Sequence, residues 1–228
     1  MRKDIPVILY EDNHIIIVNK RSSDLVQGDS TGDEPLDDIV RAYIKEKYNK
    51  PGDVFLGVVH RLDRPVSGCV VYARTSKALS RLSELFRTRE VKKTYWAIVS
   101  DRPPAEEGTL SNYLKKNEQQ NKSYVYEKEV KGSKLAELSY RVLARSEKYY
   151  LIEVDLQTGR HHQIRAQLAA AGCPIKGDLK YGSKRSNEGG GISLHSRRVA
   201  FVHPVKDEEI KIEAPLPDDR IWKLFSNV

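Results

Sequence analysis

The stretch that organises this sequence is VFLGVVHRLDRPVSGCVVYA, residues 54–73, in which a short charged segment lies between two apolar runs. Both runs are rich in β-branched residues, which favours strands on either side of the segment. The segment itself places one carboxylate, Asp63, between two guanidiniums. Spacing alone leaves two interpretations open: an ordinary surface ion pair, or a carboxylate held ionised in a basic groove. An acid in such a groove weakens polyanion binding, so the second interpretation implies a nucleophile or general base.

Positive charge is concentrated around this segment and in one later stretch. Residues 60–93 contain nine Lys or Arg against three Asp or Glu, and residues 157–185 contain six against one, whereas the whole chain has a formal net charge of +7. Segregated positive charge is typical of proteins that bind polyanions. A solvated basic helix face gives the same pattern, so charge by itself does not decide between the two.

Composition indicates a soluble globular protein. Of the 228 residues 39% are hydrophobic, which is enough for a core, and no run approaches the roughly 20 apolar residues of a membrane span. The N-terminal MRKDIPVILYED carries acids and no cleavage site, so no secretory signal is expected. Two cysteines, Cys69 and Cys173, cannot form a disulfide framework, and the histidines include no H-E-x-x-H metal motif. A cytoplasmic location without a bound metal is therefore expected.

Hydrophobic periodicity predicts one α+β domain over residues 1–228, built on a mainly antiparallel mixed sheet flanked by helices and loops. Asp33 or Glu34 is the expected cap of the first helix, with Pro35 as its first residue, and Thr75 or Ser76 caps a second helix that ends near Arg89. The remaining predicted elements are a strand pair in 6–20, strands at 54–60 and 68–73, three strands in 92–156, a short helix around Ile164, a final strand pair after Ser193 and a terminal turn of helix at 220–225. Loops are expected at 21–34, 101–123 and 182–191, and Pro103-Pro104 is the only candidate linker.

Four motifs in this order, HRLDRPVSG (60–68), KKTYWAIV (92–99), TGRHHQIR (158–165) and GDLKYG (177–182), resemble those of the RluA-type pseudouridine synthases. ILYEDNHIIIVNK near the start and SLHSRRVAFVHP near the end are similar to the opening and closing strands of that family. Two departures are local: Val66 stands where the family more often has Thr, and Arg21-Ser22-Ser23 replaces Pro-x-Gly. The S4-like RNA-binding module of many members is expected to be absent.

The resemblance implies an isomerase that converts uridine to pseudouridine in structured rRNA or tRNA, without a metal or other cofactor. Asp63 would be the nucleophile, attacking either ribose C1′ or uracil C6, and the target base would be flipped out of the RNA. Arg61 would occupy the vacated stack. Tyr95 would pack on the flipped uracil and could take part in proton removal at C5, and Arg165 would pair with Asp63 and favour its ionised form.

RNA is the expected partner of a monomeric protein, with neither DNA nor a membrane expected. The residues expected to contact RNA are His60, Arg61, Arg64, Arg81, Arg87, Arg160, His162, Gln163 and Ile164. The alternative function is a catalytically silent RNA-binding protein or RNA chaperone, although pure binding has no use for an acid at position 63. A glycosidase would need a second catalytic carboxylate, for which the basic motif segments offer no good candidate.

Overall fold

The computed structural model describes residues 5–29 and 31–228. The first four residues, on which part of the N-terminal signal argument rests, and Ser30 of the expected loop lie outside the described residues. The strands are β1 (Val7–Glu11), β2 (Ile15–Lys20), β3 (Gly57–Val58), β4 (Ser67–Ala73), β5 (Lys92–Val99), β6 (Glu107–Asn117), β7 (Lys122–Tyr126), β8 (Lys134–Arg145), β9 (Tyr150–Leu156), β10 (Leu194–Val202) and β11 (Glu209–Glu213). The helices are α1 (Leu36–Lys47), α2 (Ser76–Thr88), α3 (Gln163–Ala170) and α4 (Arg220–Lys223), with a 3-10 turn at Leu179–Tyr181.

The chain divides into two compact units, of which the first comprises the residues up to Lys92 together with Ser196–Pro215. Its strands lie in the order β1, β2, β4, β10, with β3 beside β4 and β11 beside β10. The pairs β1–β2, β2–β4, β3–β4 and β10–β11 are antiparallel. Four consecutive β-branched residues of β2, Ile15 to Val18, are fully buried, as expected for a strand covered on both faces. Ala78 and Leu82 of α2 pack against one of those faces.

The second unit comprises Lys93–His195 and Leu216–Val228. Its strands lie in the order β5, β9, β8, β6, β7, and every neighbouring pair is antiparallel. Helix α3 packs Ala166 against Leu114 of β6 and Ala136 of β8. The short α4 supplies Trp222 to a second cluster over β5 and β9.

The predicted α+β class and mainly antiparallel sheet are confirmed, as are the first strand pair and the helix capped by Thr75, whose side chain accepts a hydrogen bond from the Ala78 N–H. Three local predictions are wrong. Pro35 is the N-cap of α1, and because proline has no side-chain acceptor, no side-chain hydrogen bond caps that helix. The run 54–60 contributes only Gly57–Val58 as strand, and the expected loop 101–123 contains β6 and the start of β7. Pro103-Pro104, the candidate linker, lies within the second compact unit. Among the described residues, no helix has the length and apolarity that crossing a membrane requires.

Ser23 stands where the family pattern has glycine, and its backbone is left-handed, with φ of 78°. A Cβ atom costs free energy in this conformation, and the exposed Ser23 side chain has little packing to lose. Ser23→Gly is therefore expected to raise the free energy of unfolding by about 1 kcal/mol. Urea unfolding followed by circular dichroism measures this, with Ser23→Ala as the control that keeps Cβ and gains nothing. A Ser23→Gly protein no more stable than Ser23→Ala would show that the turn is not strained.

Candidate active site

The loop that carries Asp63 is fixed through its main chain by one buried ammonium group. Lys20, at the end of β2, is only 1% exposed. Its Nζ donates hydrogen bonds to the carbonyl oxygens of Arg64 at 3.0 Å and Val66 at 2.6 Å, and to that of Arg21 at 2.9 Å. The three donors of an ammonium are thus matched by three carbonyl acceptors. This places the backbone immediately after Asp63 in a defined position.

The segment that departs from the family pattern adds two more bonds to the same backbone. The Ser22 hydroxyl donates to the Pro65 carbonyl at 3.1 Å, and the Ser23 N–H donates to the Arg64 carbonyl at 2.9 Å. The carbonyls of all three residues from 64 to 66 therefore accept hydrogen bonds from residues 20–23. Ser22 occupies the variable position of the Pro-x-Gly pattern and the Ser23 donor is a main-chain N–H, so neither bond depends on the two departures at Arg21 and Ser23.

Asp63 itself is half-buried, and its carbonyl accepts from the Val66 N–H at 3.0 Å, which closes a tight turn. Val66 is buried, so the residue that replaces the family's Thr contributes packing and backbone contacts. After the turn, Gly68 has φ of 111°, and a Cβ there would lie 2.3 Å from the Ser196 carbonyl oxygen. Only glycine allows β4 to approach β10 so closely.

His60, expected to contact RNA, supports the other end of the loop. Its Nε2 accepts a hydrogen bond from the Val71 N–H at 3.0 Å, so the ring fixes the loop to β4. The ring also stacks on Phe86 of α2, with centroids 4.6 Å apart. Since Nε2 is an acceptor, the neutral ring carries its proton on Nδ1.

The four arginines of the first unit that were expected to contact RNA are exposed and differ in their partners. Arg61 is exposed on the Asp63 loop. Arg64 pairs with Asp33 at 2.6 Å, both about half exposed. On α2, Arg81 donates to the Pro204 carbonyl at 2.8 Å, and Arg87 pairs with Glu84 one turn away. Part of the positive charge of residues 60–93 is therefore paired with carboxylates of the protein itself. The rest lies on exposed arginines at the surface.

Arg165 lies on α3 in the second unit, and its position is set by a residue that the sequence did not reveal. Its Nε and Nη2 donate to the two carboxylate oxygens of Asp178 at 2.7 and 2.9 Å, and Asp178 is 1% exposed. Such a bidentate pair fixes the plane of the guanidinium. The expected pairing of Arg165 with Asp63 joins residues of different units and stays a prediction. Asp178 lies in the GDLKYG motif, so the sequence marked this segment but not the pairing of Asp178 with Arg165.

Tyr95 is buried in β5, opposite Val154 of β9. Two positions earlier, burial lowers the pKa of Lys93. A Cβ at Gly159 would lie 3.4 Å from the Lys93 Nζ, so the turn after β9 passes close to this ammonium. Among the described residues, no three His, Cys, Asp or Glu side chains are grouped as a metal site requires.

The turn before α3 is built by residues that were expected to contact RNA. The Gln163 Oε1 accepts from the Thr158 hydroxyl at 2.8 Å and from the Arg160 N–H at 2.9 Å, and its Nε2 donates to the Glu137 carbonyl at 3.0 Å. Arg160 donates through Nε to the Leu135 carbonyl at 2.9 Å. Ile164 is buried. These contacts hold the turn rigid and leave part of Arg160 exposed.

His162 is buried in left-handed conformation, and its Nδ1 lies 3.0 Å from the Tyr181 hydroxyl. Burial, reinforced by the positive charge of Arg165, lowers the pKa of His162 to about 2. The Tyr181 oxygen accepts from the Ser123 N–H at 2.8 Å, and a neutral His162 ring with its proton on Nε2 accepts a hydrogen bond from the Tyr181 hydroxyl at Nδ1. The Arg165 guanidinium lies over the Tyr181 ring, 5.1 Å from its centroid. One tyrosine therefore joins α3, the 177–182 segment and β7.

Comparison with known proteins identifies the class to which this fold and site belong. The structure matches that of Human RNA Pseudouridylate Synthase Domain Containing 4 with a TM-score of 0.77 at 24% identity, covering 93% of this chain and 89% of the other. Human RNA Pseudouridylate Synthase Domain Containing 1 matches with a TM-score of 0.75 at 22% identity, covering 95% and 86%. At these identities the similarity shows a shared fold.

The family model for RNA pseudouridylate synthase matches residues 14–170, and the chain therefore belongs to this family of isomerases. The uncharacterized RNA pseudouridine synthase YhcT of Bacillus subtilis is 34% identical over 218 residues, covering 93% of this chain and 69% of the relative. Ribosomal large subunit pseudouridine synthase C of Escherichia coli O157:H7 is 34% identical over 220 residues, covering 93% and 67%. The chain spans about two thirds of the length of these relatives. The RluA-type resemblance is confirmed.

The depressed pKa of His162 makes the second unit sensitive to acid. The unfolded chain protonates this residue near pH 6.5, whereas the folded chain keeps it neutral down to about pH 2. Stability from this source is present above pH 6.5 and is lost as the pH falls below it, by up to about 1.4 kcal/mol per pH unit. We expect His162→Asn, which tolerates the left-handed backbone, to remove that part of the slope. Urea unfolding at pH 7.0, 6.0 and 5.0 measures the slope for both proteins, and equal slopes would contradict a neutral buried His162.

Proposed function

We propose that this protein converts specific uridines of structured RNA to pseudouridine, with Asp63 as the nucleophile and with the target base flipped out of the RNA. The observation that carries the proposal is the family match over residues 14–170, within which Asp63 lies half-buried on a loop whose next three carbonyls are held by hydrogen bonds. Because the loop backbone is already fixed, the Asp63 carboxylate can reach one substrate atom without the loop having to become ordered when RNA binds.

The reaction breaks the bond between ribose C1′ and uracil N1 and forms one between C1′ and C5. C5 loses a proton and N1 gains one, so the product is an isomer and no redox partner or cofactor enters the balance. In this proposal the Asp63 carboxylate attacks either C1′ or uracil C6. Attack at C1′ follows the chemistry of retaining glycosidases, in which a carboxylate meets a developing sugar cation.

Three further residues have roles in the proposed reaction. Arg61, exposed on the same loop, takes the place of the flipped base in the RNA stack. Tyr95 packs on the uracil and takes part in removing the C5 proton. Arg165 pairs with Asp63 and favours its ionised form. Its bidentate bond to Asp178 fixes the plane of the guanidinium.

The proposed substrate is ribosomal RNA, with transfer RNA as the second candidate class. Support for ribosomal RNA comes from the relatives named ribosomal large subunit pseudouridine synthase C, of which the Vibrio cholerae protein is 33% identical over 215 residues. The exposed guanidiniums of Arg61, Arg64, Arg81 and Arg87 are the proposed phosphate contacts of the first unit. We also propose that the protein acts in the cytoplasm as a monomer.

Asp63→Asn tests the proposal because it removes the attacking charge and keeps the shape of the side chain. We expect pseudouridine formation to fall below detection, while RNA affinity is retained or rises because a negative charge has been removed. The measurement is incubation with total RNA from cells that lack the gene, followed by nucleoside mass spectrometry. Wild-type protein is expected to add pseudouridine to this RNA.

The matched control is Asp33→Asn, which removes an exposed carboxylate that pairs with Arg64 of the same loop. This variant is expected to keep turnover near that of the wild type. A folded Asp63→Asn protein that still forms pseudouridine at the wild-type rate would contradict the nucleophile assignment. Wild-type protein that binds RNA and anneals it without forming pseudouridine would favour the RNA chaperone instead.

A further inference from the structure

The hairpin of β6 and β7 presents one face on which exposed tyrosines alternate with lysines. Because β-strand side chains alternate between faces, positions 113 and 115 of β6 share a face with positions 122, 124 and 126 of β7. The register pairs Tyr113 with Tyr126 and Lys115 with Tyr124 across the two strands. We call the side chains of Tyr113, Lys115, Lys122, Tyr124 and Tyr126 the tyrosine face. Tyr124 and Tyr126 are 40% and 37% exposed, a large area of aromatic surface for a hairpin at a sheet edge.

The opposite face of the same hairpin is packed and satisfied, which leaves the tyrosine face as the outward one. Leu114 and Val125 on that opposite face lie in the cluster with Ala166 and Ala169 of α3. Ser123 is buried there, and its hydroxyl donates to the His161 carbonyl at 2.7 Å. The hairpin is therefore mounted on the helix that also carries Arg165.

The tip of the hairpin is held as well. The Tyr124 hydroxyl donates to the Gln120 side-chain carbonyl, and the Lys180 Nζ donates to the Asn121 backbone carbonyl at 3.2 Å. The Lys122 ammonium lies over the rings of Tyr124 and Tyr181, 5.6 and 5.1 Å from their centroids. The Tyr124 ring, held in this way, loses little conformational entropy when a ligand stacks on it.

The chemistry of this face identifies its partner. Lysine is depleted from protein–protein interfaces, so a face of alternating tyrosine and lysine is a poor match for a protein partner. Aromatic rings beside ammonium groups are typical of sites for single-stranded nucleic acid, where bases stack on the rings and phosphates meet the cations. Residues 113–126 contain three lysines, 115, 116 and 122, against one acid, Glu118, which pairs with Lys116. On the same side of the sheet, Leu135 of β8 pairs with Tyr113, and Glu137 of β8 pairs with Ser111, whose hydroxyl donates to the Glu137 carboxylate.

We propose that the tyrosine face binds an unpaired segment of the substrate RNA, with successive bases on Tyr126 and Tyr124 and phosphates beside Lys115 and Lys122. The two tyrosines are two positions apart on one strand, about 6.8 Å, which lets each ring take one base of an extended chain. Paired bases are stacked inside a duplex and are closed to these rings, so the face selects unpaired RNA. The proposal rests on the proposed function, since it concerns the RNA that surrounds the modified uridine.

The test uses the full chain and two labelled RNA probes of twelve nucleotides, one of uridines and one with the same ribose-phosphate chain lacking bases. Fluorescence anisotropy gives Kd for wild type, Tyr124→Ala/Tyr126→Ala, Tyr124→Phe/Tyr126→Phe and Tyr48→Ala. Tyr48 is 42% exposed in the first unit and serves as the matched control. We expect the double alanine variant to bind the uridine probe at least about fivefold more weakly, the lower end of one base–aromatic stack, and the probe without bases equally well. The phenylalanine variant and Tyr48→Ala should bind both probes like the wild type.

Equal affinity of the wild type and the double alanine variant for the uridine probe would overturn the proposal. Weaker binding of the alanine variant to both probes would also overturn it, because the loss would not depend on the bases. Pseudouridine formation in total RNA is measured on the same proteins. If the wild type forms pseudouridine but the double alanine variant binds the probes like the wild type, only the proposal about the tyrosine face fails. If the wild type forms no pseudouridine, the proposed function fails.

Discussion

The buried ammonium of Lys20 is the interaction on which the geometry of the Asp63 loop depends. Moving a charge out of water is costly unless hydrogen bonds replace its hydration, and here three main-chain carbonyls supply that replacement. Two of these carbonyls, those of Arg64 and Val66, belong to the loop itself, so Lys20 ties the loop backbone to the end of β2. The position of the loop is thus set by hydrogen bonds to its main chain.

The second unit also fixes its buried polar side chains through hydrogen bonds, but with different groups. The Asp178 carboxylate fixes Arg165, and the neutral ring of His162 is hydrogen-bonded to the Tyr181 hydroxyl. Burial keeps His162 uncharged, so it adds no positive charge beside Arg165. Residues of the turn before α3 that resemble RNA contacts in sequence serve to build that turn. Among them the Gln163 side chain donates to the Glu137 carbonyl, whereas Arg160 is partly exposed.

Periodicity predicted the first strand pair, both long helices and the class of sheet, because burial of one face imposes a repeat on the sequence. Periodicity missed β6 and β7. In this hairpin, consecutive polar residues such as Lys115 and Lys116 interrupt the alternation of apolar and polar side chains that indicates a strand. Periodicity also misplaced the start of α1, where a proline ends the loop without a side-chain cap. Asp178 was missed because a pair thirteen residues apart depends on the tertiary fold, although its motif was visible in the sequence. The Lys20 contacts, which span more than forty residues, were equally beyond a local pattern.

The measurement that tests the central claim most directly is amide hydrogen exchange of Lys20→Met against the wild type. The amides to follow are those of Ser23 and Val66, which donate to the Arg64 and Asp63 carbonyls, with the Ile98 amide of the second unit as the reference for intact folding. If Lys20 holds the loop, exchange at Ser23 and Val66 accelerates by about tenfold or more, corresponding to about 1.4 kcal/mol or more of local stability, while Ile98 is unchanged. Unchanged exchange at Ser23 and Val66 in the folded variant would contradict the claim that Lys20 positions the Asp63 loop.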